Sequence, residues 1–192
     1  MQIEYEATFV DIDKDQMRNK LKEVGAVLAR EEYMQKRHCY NFPQGNQVKG
    51  GWVRIRDEGE KITMSVKIID GDKIENQKES CLTIDNYQEA ETFLQTLGCE
   101  LKSYQETKRE LWILDEVEVT LDTWPFLETF MEVEGVSEEV VKTVSQKLGE
   151  DWSEAKFCGV AHLYSQKYGV SEQVINNETP KIIFGMENPF KI

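Results

Sequence analysis

Polar and apolar residues alternate over much of this chain, and the period switches from two to near 3.6 and back. In Ile3-Glu4-Tyr5-Glu6-Ala7-Thr8-Phe9 the apolar residues take every second position, which predicts a strand with Glu4, Glu6 and Thr8 on one face. Asp13 then stands as an N-cap ahead of Met17, Leu21 and Val24, and Gly25 sits where a helix C-terminus favours glycine. Strands are predicted over 34–42, 51–56 and 61–69, separated by Pro43/Gly45 and by Asp57/Gly59 and closed by Asp70-Gly71-Asp72. The order recurs with a strand over 80–84, a helix from Tyr87 to Leu97 ended by Gly98, and strands over 104–114, 116–123 and 130–134. Two strand-helix-three-strand halves result, and LKEVGA (Leu21 to Ala26) matches LQTLGC (Leu94 to Cys99) in kind.

Many antiparallel strands with few helices predict an α+β fold. The expected form is an antiparallel eight-stranded β-barrel, because closure removes the exposed sheet edges, with helices packed outside it. Ser137 with Glu138 and Glu139 starts a helix through Leu148, and Asp151 or Ser153 starts another to about Tyr168. Beyond Asn176, Pro180 and Pro189 interrupt an apolar series of Ile182, Ile183, Phe184 and Phe190, which predicts a strand or arm lying on the body. The expected division is a barrel domain over 1–170 and a C-terminal extension over 171–192 packed against it.

Composition narrows the partners. A chain of 192 residues fits one domain, and its net charge of −13 argues against a duplex-binding surface, so no nucleic acid is expected and any anion must bind in a local pocket. There is no basic segment followed by an apolar leader, and no apolar run near the ~20 residues that span a bilayer, so a cytoplasmic protein without a membrane partner is expected. Cys39, Cys81, Cys99 and Cys158 lack C-x-x-C spacing, and His38 and His162 lack partners at metal-ligand spacing. No phosphate-cradling G-x-x-x-x-G-K-[ST] loop occurs.

The charges inside the strands are the anomaly. Arg54 and Arg56 share a face opposite Val53 and Ile55, and Thr63, Ser65 and Lys67 share one opposite Met64 and Val66. Two of the six arginines thus lie on one strand face of a very acidic protein. Carboxylates gather at the two ends of the strand series: Glu4 and Glu6 on the first, Glu132 and Glu134 on the last, with Asp122 beside Glu118 and Thr120 between them. Mg²⁺ and Mn²⁺ prefer such oxygen ligands. Alternation alone also fits a solvated outer face with surface ion pairs of little energetic weight, so both readings stay open on the pattern.

As a set these residues resemble the CYTH family of class IV adenylyl cyclases and thiamine triphosphatases, also called triphosphate tunnel metalloenzymes, over most of residues 1–168. Its E-x-E-x-K motif is matched by Glu4-Tyr5-Glu6-Ala7-Thr8, its R-x-R strand by Arg54-Ile55-Arg56, and its following lysine by Lys67. TKRELW places Arg109 at a basic tunnel position, and LDTWPFLETFMEVEG supplies Asp122, Glu132 and Glu134 as a closing segment. Thr8 and Thr107 stand where the family has lysines, and Cys81 stands for a common carboxylate.

The resemblance implies a β-tunnel in which Lys36, Arg54, Arg56, Lys67 and Arg109 hold a triphosphate, and Glu4, Glu6, Asp122, Glu132 and Glu134 hold Mg²⁺ or Mn²⁺. It implies a metal-dependent phosphohydrolase acting on tripolyphosphate or on nucleoside or thiamine triphosphate. A class IV adenylyl cyclase, forming cyclic AMP and pyrophosphate, and a non-catalytic nucleotide or polyphosphate binder are the alternatives. The expected partner is the small-molecule triphosphate, bound by a monomer or homodimer.

Overall fold

A computed structural model, which describes residues 1–191, arranges the chain around one ten-stranded sheet. Strands β1 (Gln2–Ile3) and β2 (Tyr5–Phe9) are two pieces of the first strand, broken at Glu4. Helix α1 (Lys14–Glu23) follows, its first amides capped by the Asp13 carboxylate, which accepts from Asp15 N and Gln16 N. Strands β3 (Val27–Asn41), β4 (Gly51–Asp57) and β5 (Ile62–Ile69) form a meander. Then β6 (Gln77–Ile84), α2 (Tyr87–Thr96), β7 (Glu100–Leu114), β8 (Val117–Thr123) and β9 (Phe130–Gly135) repeat the order of the first half. Helices α3 (Glu138–Leu148) and α4 (Val160–Tyr168) and the short β10 (Lys181–Ile182) complete the fold.

The strand path runs β1-β6-β5-β4-β3-β7-β8-β9-β2. Every pair along it is antiparallel, and β10 adds to β7 in parallel. Because β1 lies on β6 while β2 lies on β9, the broken first strand joins the two ends of the sheet into a nearly closed barrel. The seam is held where it breaks: Glu4 N donates to Gln77 O at 2.9 Å, and Gln77 Nε2 donates to Glu6 O at 2.7 Å. The expected count of eight strands is therefore corrected to ten. The break at Glu4 divides one strand in two, and the C-terminal arm contributes another.

The main apolar core lies outside the barrel. Ala7, Phe9, Leu121, Met131 and Val133 turn outward and pack under Met17 and Leu21 of α1 and Val141, Val144 and Leu148 of α3. Across the barrel, Val53 and Ile55 pack under Ala90 and Leu94 of α2. A period of two then forces the alternate residues of these strands, which are largely polar, into the interior.

Residues 151–168 do not form the single helix expected of them. Asp151 caps only a 3₁₀ turn, Trp152–Glu154, and α4 begins at Val160 after Gly159. Between them the backbone is drawn into the seam, with Thr8 N donating to Lys156 O and Lys156 N to Thr8 O, both at 2.9 Å. A helix would forfeit both bonds. Toward the C-terminus, Ile175, Ile182 and Phe190 are buried against Trp124 and Tyr164. The last residue of the expected arm, Ile192, lies outside the described residues. No helix among them is long and apolar enough to cross a membrane.

Candidate functional site

The barrel encloses a cavity of about 1060 Å³ whose wall is divided by charge. Strands β3, β4, β5 and β7 supply the basic side. Register sets Arg37 opposite Arg56 and Cys39 opposite Arg54 across β3 and β4, so three guanidinium groups converge. Arg54 Nη2 donates to Glu79 Oε1 at 2.8 Å, and Arg56 Nε donates to Glu58 Oε1 at 2.8 Å. Lys67 Nζ lies 2.6 Å from Glu4 and 3.5 Å from Glu6. Arg109 forms a fork with Asp122, at 2.8 and 2.6 Å, and also donates to Glu132.

Arg37 differs from the rest. It donates to Gln35 Oε1 at 2.7 Å and to Thr107 Oγ1, and its guanidinium lies 4.7 Å from the Trp124 ring centroid. Burial, then Arg56 and Arg54, push its pKa down to about 9, which leaves it charged at neutral pH. The Nε atoms of Arg37 and Arg54, with Thr63 Oγ1, are buried without a hydrogen-bond partner. Unsatisfied donors of this kind inside a cavity are costly to the free protein and ready for an anion.

The opposite side is acidic. Glu4, Glu6 and Glu134 each bring a carboxylate oxygen within 4.8 Å of the others. Burial, reinforced by Glu6, raises Glu4 to about 8 despite Lys67, and burial with Glu6 raises Glu134 to about 7. Glu132 is also held well above the carboxylate range by burial and Glu6. Glu79 goes the other way: burial would raise it, but Arg54 and Lys67 outweigh burial and hold it down to about 2. The difference is the company each carboxylate keeps.

Eight of the ten residues singled out from the sequence line the cavity: Glu4, Glu6, Arg54, Arg56, Lys67, Arg109, Glu132 and Glu134. Asp122 is fully buried behind Arg109, and Thr120 Oγ1 also donates to it, so its oxygens are committed to the protein. Lys36 is exposed on the outer face. It sits between the inward, buried Gln35 and Arg37, and alternation turns it away from the tunnel. Arg37 takes the inward place and donates to Thr107 Oγ1, which sets a guanidinium beside that threonine. Sequence reasoning does not reach Glu58, whose only signal is its place two residues past Arg56, where β4 enters the turn.

The CYTH domain matches this sequence over residues 2–158. No match was found among curated protein sequences. Among solved structures, the fold is similar to that of a "putative adenylate cyclase" from Vibrio parahaemolyticus, with a TM-score of 0.74 and 16% identity over 85% of this chain and 98% of that one. It is similar to PH1012 from Pyrococcus horikoshii OT3, with a TM-score of 0.69 and 16% identity over 81% of this chain and 96% of that one. A "putative adenylyl cyclase" from Hippeastrum, described as having a dominant triphosphatase activity, aligns with a TM-score of 0.57 and 12% identity over 88% of this chain and 97% of that one. At these identities the structural likeness speaks for the fold, and with the domain matched over most of its length the chain belongs to the CYTH family.

Proposed function

We propose that the chain is a divalent-metal-dependent phosphohydrolase that takes a triphosphate group, as tripolyphosphate or a nucleoside or thiamine triphosphate, into the tunnel. The observation that carries this reading is the division of the wall: Arg37, Arg54, Arg56 and Arg109 on one side, and the Glu4, Glu6, Glu134 cluster on the other. A triphosphate spreads several negative charges along a line, and guanidinium groups on neighbouring strands match that spread with charge-assisted, often bidentate, hydrogen bonds. A single phosphate would leave most of them unused.

The acidic cluster fits Mg²⁺ or Mn²⁺. Burial first, and then the neighbouring Glu6, raise the pKa values of Glu4 and Glu134, and a hard cation with oxygen ligands relieves both costs. Glu4, Glu6 and Glu134 would hold the ion, with Glu132 next to them. When bound, it supplies charge neutralisation on the phosphoryl group and orientation of water. Asp122 keeps the Arg109 fork in a fixed orientation, and Lys67, tied to Glu4 and Glu6, links the basic and acidic sides. Fixed cations on Arg54 and Arg56 stabilise charge that builds on the departing diphosphate without reorganising for it. The triphosphatase activity described for the Hippeastrum protein supports the assignment by analogy of fold.

The test is product analysis with Mg²⁺ or Mn²⁺. Tripolyphosphate and water are expected to give one phosphate and one pyrophosphate. Cyclic AMP and pyrophosphate from ATP would replace this reading with a cyclase, and tight binding without either product would replace it with a non-catalytic binder.

A further inference from the structure

A second cavity, of about 590 Å³, opens beside the tunnel and shares Asn41, Gly51, Gln173 and Asn177 with its wall. Two stretches far apart in the chain form it. The end of β3 and its connection to β4 supply Asn41, Phe42, Gln44 and Gln47. The segment after α4, beyond the 2–158 match, supplies Gln173 and Asn177. Asn41 lies two residues along β3 from Cys39, which is in register with Arg54, so it stands about 7 Å of strand from the level of that guanidinium-bearing residue.

The two cavities differ in chemistry. The tunnel is lined by cations and carboxylates, whereas here every polar side chain except Glu100 is a neutral amide. The amides are held in place by local bonds. Asn41 Nδ2 donates to Asn177 Oδ1 at 3.3 Å, and Asn177 Nδ2 donates to Gln173 Oε1 at 3.1 Å. Gln44 Nε2 donates to Glu100 Oε1 at 3.2 Å, and Gly45 N donates to Gln47 Oε1 at 3.0 Å. Asn177 is thereby spent at both ends. The others each keep one end without a protein partner among the described residues: the oxygens of Asn41 and Gln44 as acceptors, the Nε2 groups of Gln47 and Gln173 as donors.

A phosphate offers acceptors and negative charge, which the free oxygens and Glu100 would repel. The edge of a nucleobase presents donors and acceptors side by side, and asparagine and glutamine side chains match such edges. The Phe42 ring packs directly on the backbone of Gly51, where a Cβ would stand 2.8 Å from Phe42 Cε2, and it gives the cavity an aromatic wall for a planar base.

We propose that this cavity is the base pocket of the site. With the triphosphate in the tunnel, the ribose crosses at Asn41 and Gly51, and the nucleobase lies against Phe42 with its edge hydrogen-bonded by Gln44, Gln47 and Gln173. This rests on the triphosphate reading above and narrows its substrate class to nucleoside triphosphates.

The experiment is calorimetric titration of ATP, GTP, CTP, UTP and inorganic tripolyphosphate into the wild-type chain, Gln47→Leu/Gln173→Leu and Arg54→Ala, in EDTA and again with Mg²⁺. The double variant is expected to bind the tightest nucleotide about tenfold more weakly, the worth of two neutral hydrogen bonds. Its tripolyphosphate affinity and melting temperature are expected to hold, because both side chains are exposed. Arg54→Ala is expected to weaken both kinds of ligand. Wild-type nucleotide affinity in the double variant, or an equal loss for tripolyphosphate, would overturn the proposal. If tripolyphosphate binding depends on Arg54 while no nucleotide depends on Gln47 and Gln173, only the base pocket falls. If the wild-type chain binds none of these ligands under either condition, the triphosphate reading falls with it.

Discussion

Strands β2, β8 and β9 have two faces that could hardly differ more. On the outer face, Phe9, Leu121 and Val133 are almost wholly buried among the side chains of α1 and α3, and each is in the environment its chemistry prefers. On the inner face, Glu132 and Glu134 crowd against Glu6, and the charged forms of Glu132 and Glu134 are disfavoured. The lesson is a division of labour set by a period of two. The outer face stabilises the fold through apolar burial, while the inner face gathers carboxylates whose charged forms burial and one another disfavour. Proteins tolerate such strain at sites of function when the rest of the fold compensates.

If that division holds, each face can be broken alone. Glu134→Gln should lower metal-dependent turnover on the order of 10²-fold, typical of losing one preorganised electrostatic contact, while the metal-free melting temperature holds or rises because repulsion with Glu6 is removed. Steady-state kinetics with Mg²⁺ beside thermal melts in EDTA would check it, and unchanged turnover would take Glu134 out of the site. Leu21→Ala works on the other face. Leu21 on α1 is fully buried against the outer face of the sheet, so its truncation should cost about 2–5 kcal/mol in denaturant unfolding. Tripolyphosphate affinity of the folded fraction should not move, and a parallel loss would mean that the two faces are not separable.

The same contrast explains what the sequence could disclose. The inner faces of β4 and β5 were legible because apolar residues mark the outer one: Val53 and Ile55 against Arg54 and Arg56, Met64 and Val66 against Ser65 and Lys67. Strand β3 carries no such mark, since Gln35, Lys36, Arg37 and His38 are polar on both faces, so the pattern does not separate Lys36 from the inward Arg37. The break at Glu4 was illegible for a different reason. It depends on β6 and β9 flanking one strand, a contact between distant parts of the chain. At 151–168 the local signal was sound, because Asp151 does cap a turn, but the backbone bonds between Thr8 and Lys156 overrode it.

The smallest effect expected is also the most direct reading of the inner face. Glu4 and Glu134 titrate at about 8 and about 7 in the folded protein, above the roughly 4.3 of an unfolded glutamate, so the folded state binds more protons between these values. Their contribution to stability is complete below about pH 4 and is lost as pH rises through 7 to 8, which makes the metal-free protein melt at a lower temperature at pH 8 than at pH 5.5. Glu79, held at about 2, works in the opposite sense, but its contribution is lost only as pH falls below about 4, outside this window. Mg²⁺ needs the deprotonated carboxylates, so its stabilisation should grow with pH and narrow the difference. Glu134→Gln should flatten the metal-free slope. A wild-type melting temperature that is level or rising from pH 5.5 to 8 in EDTA would mean that these carboxylates do not strain the folded state, and the contrast between the two faces would lose its energetic basis.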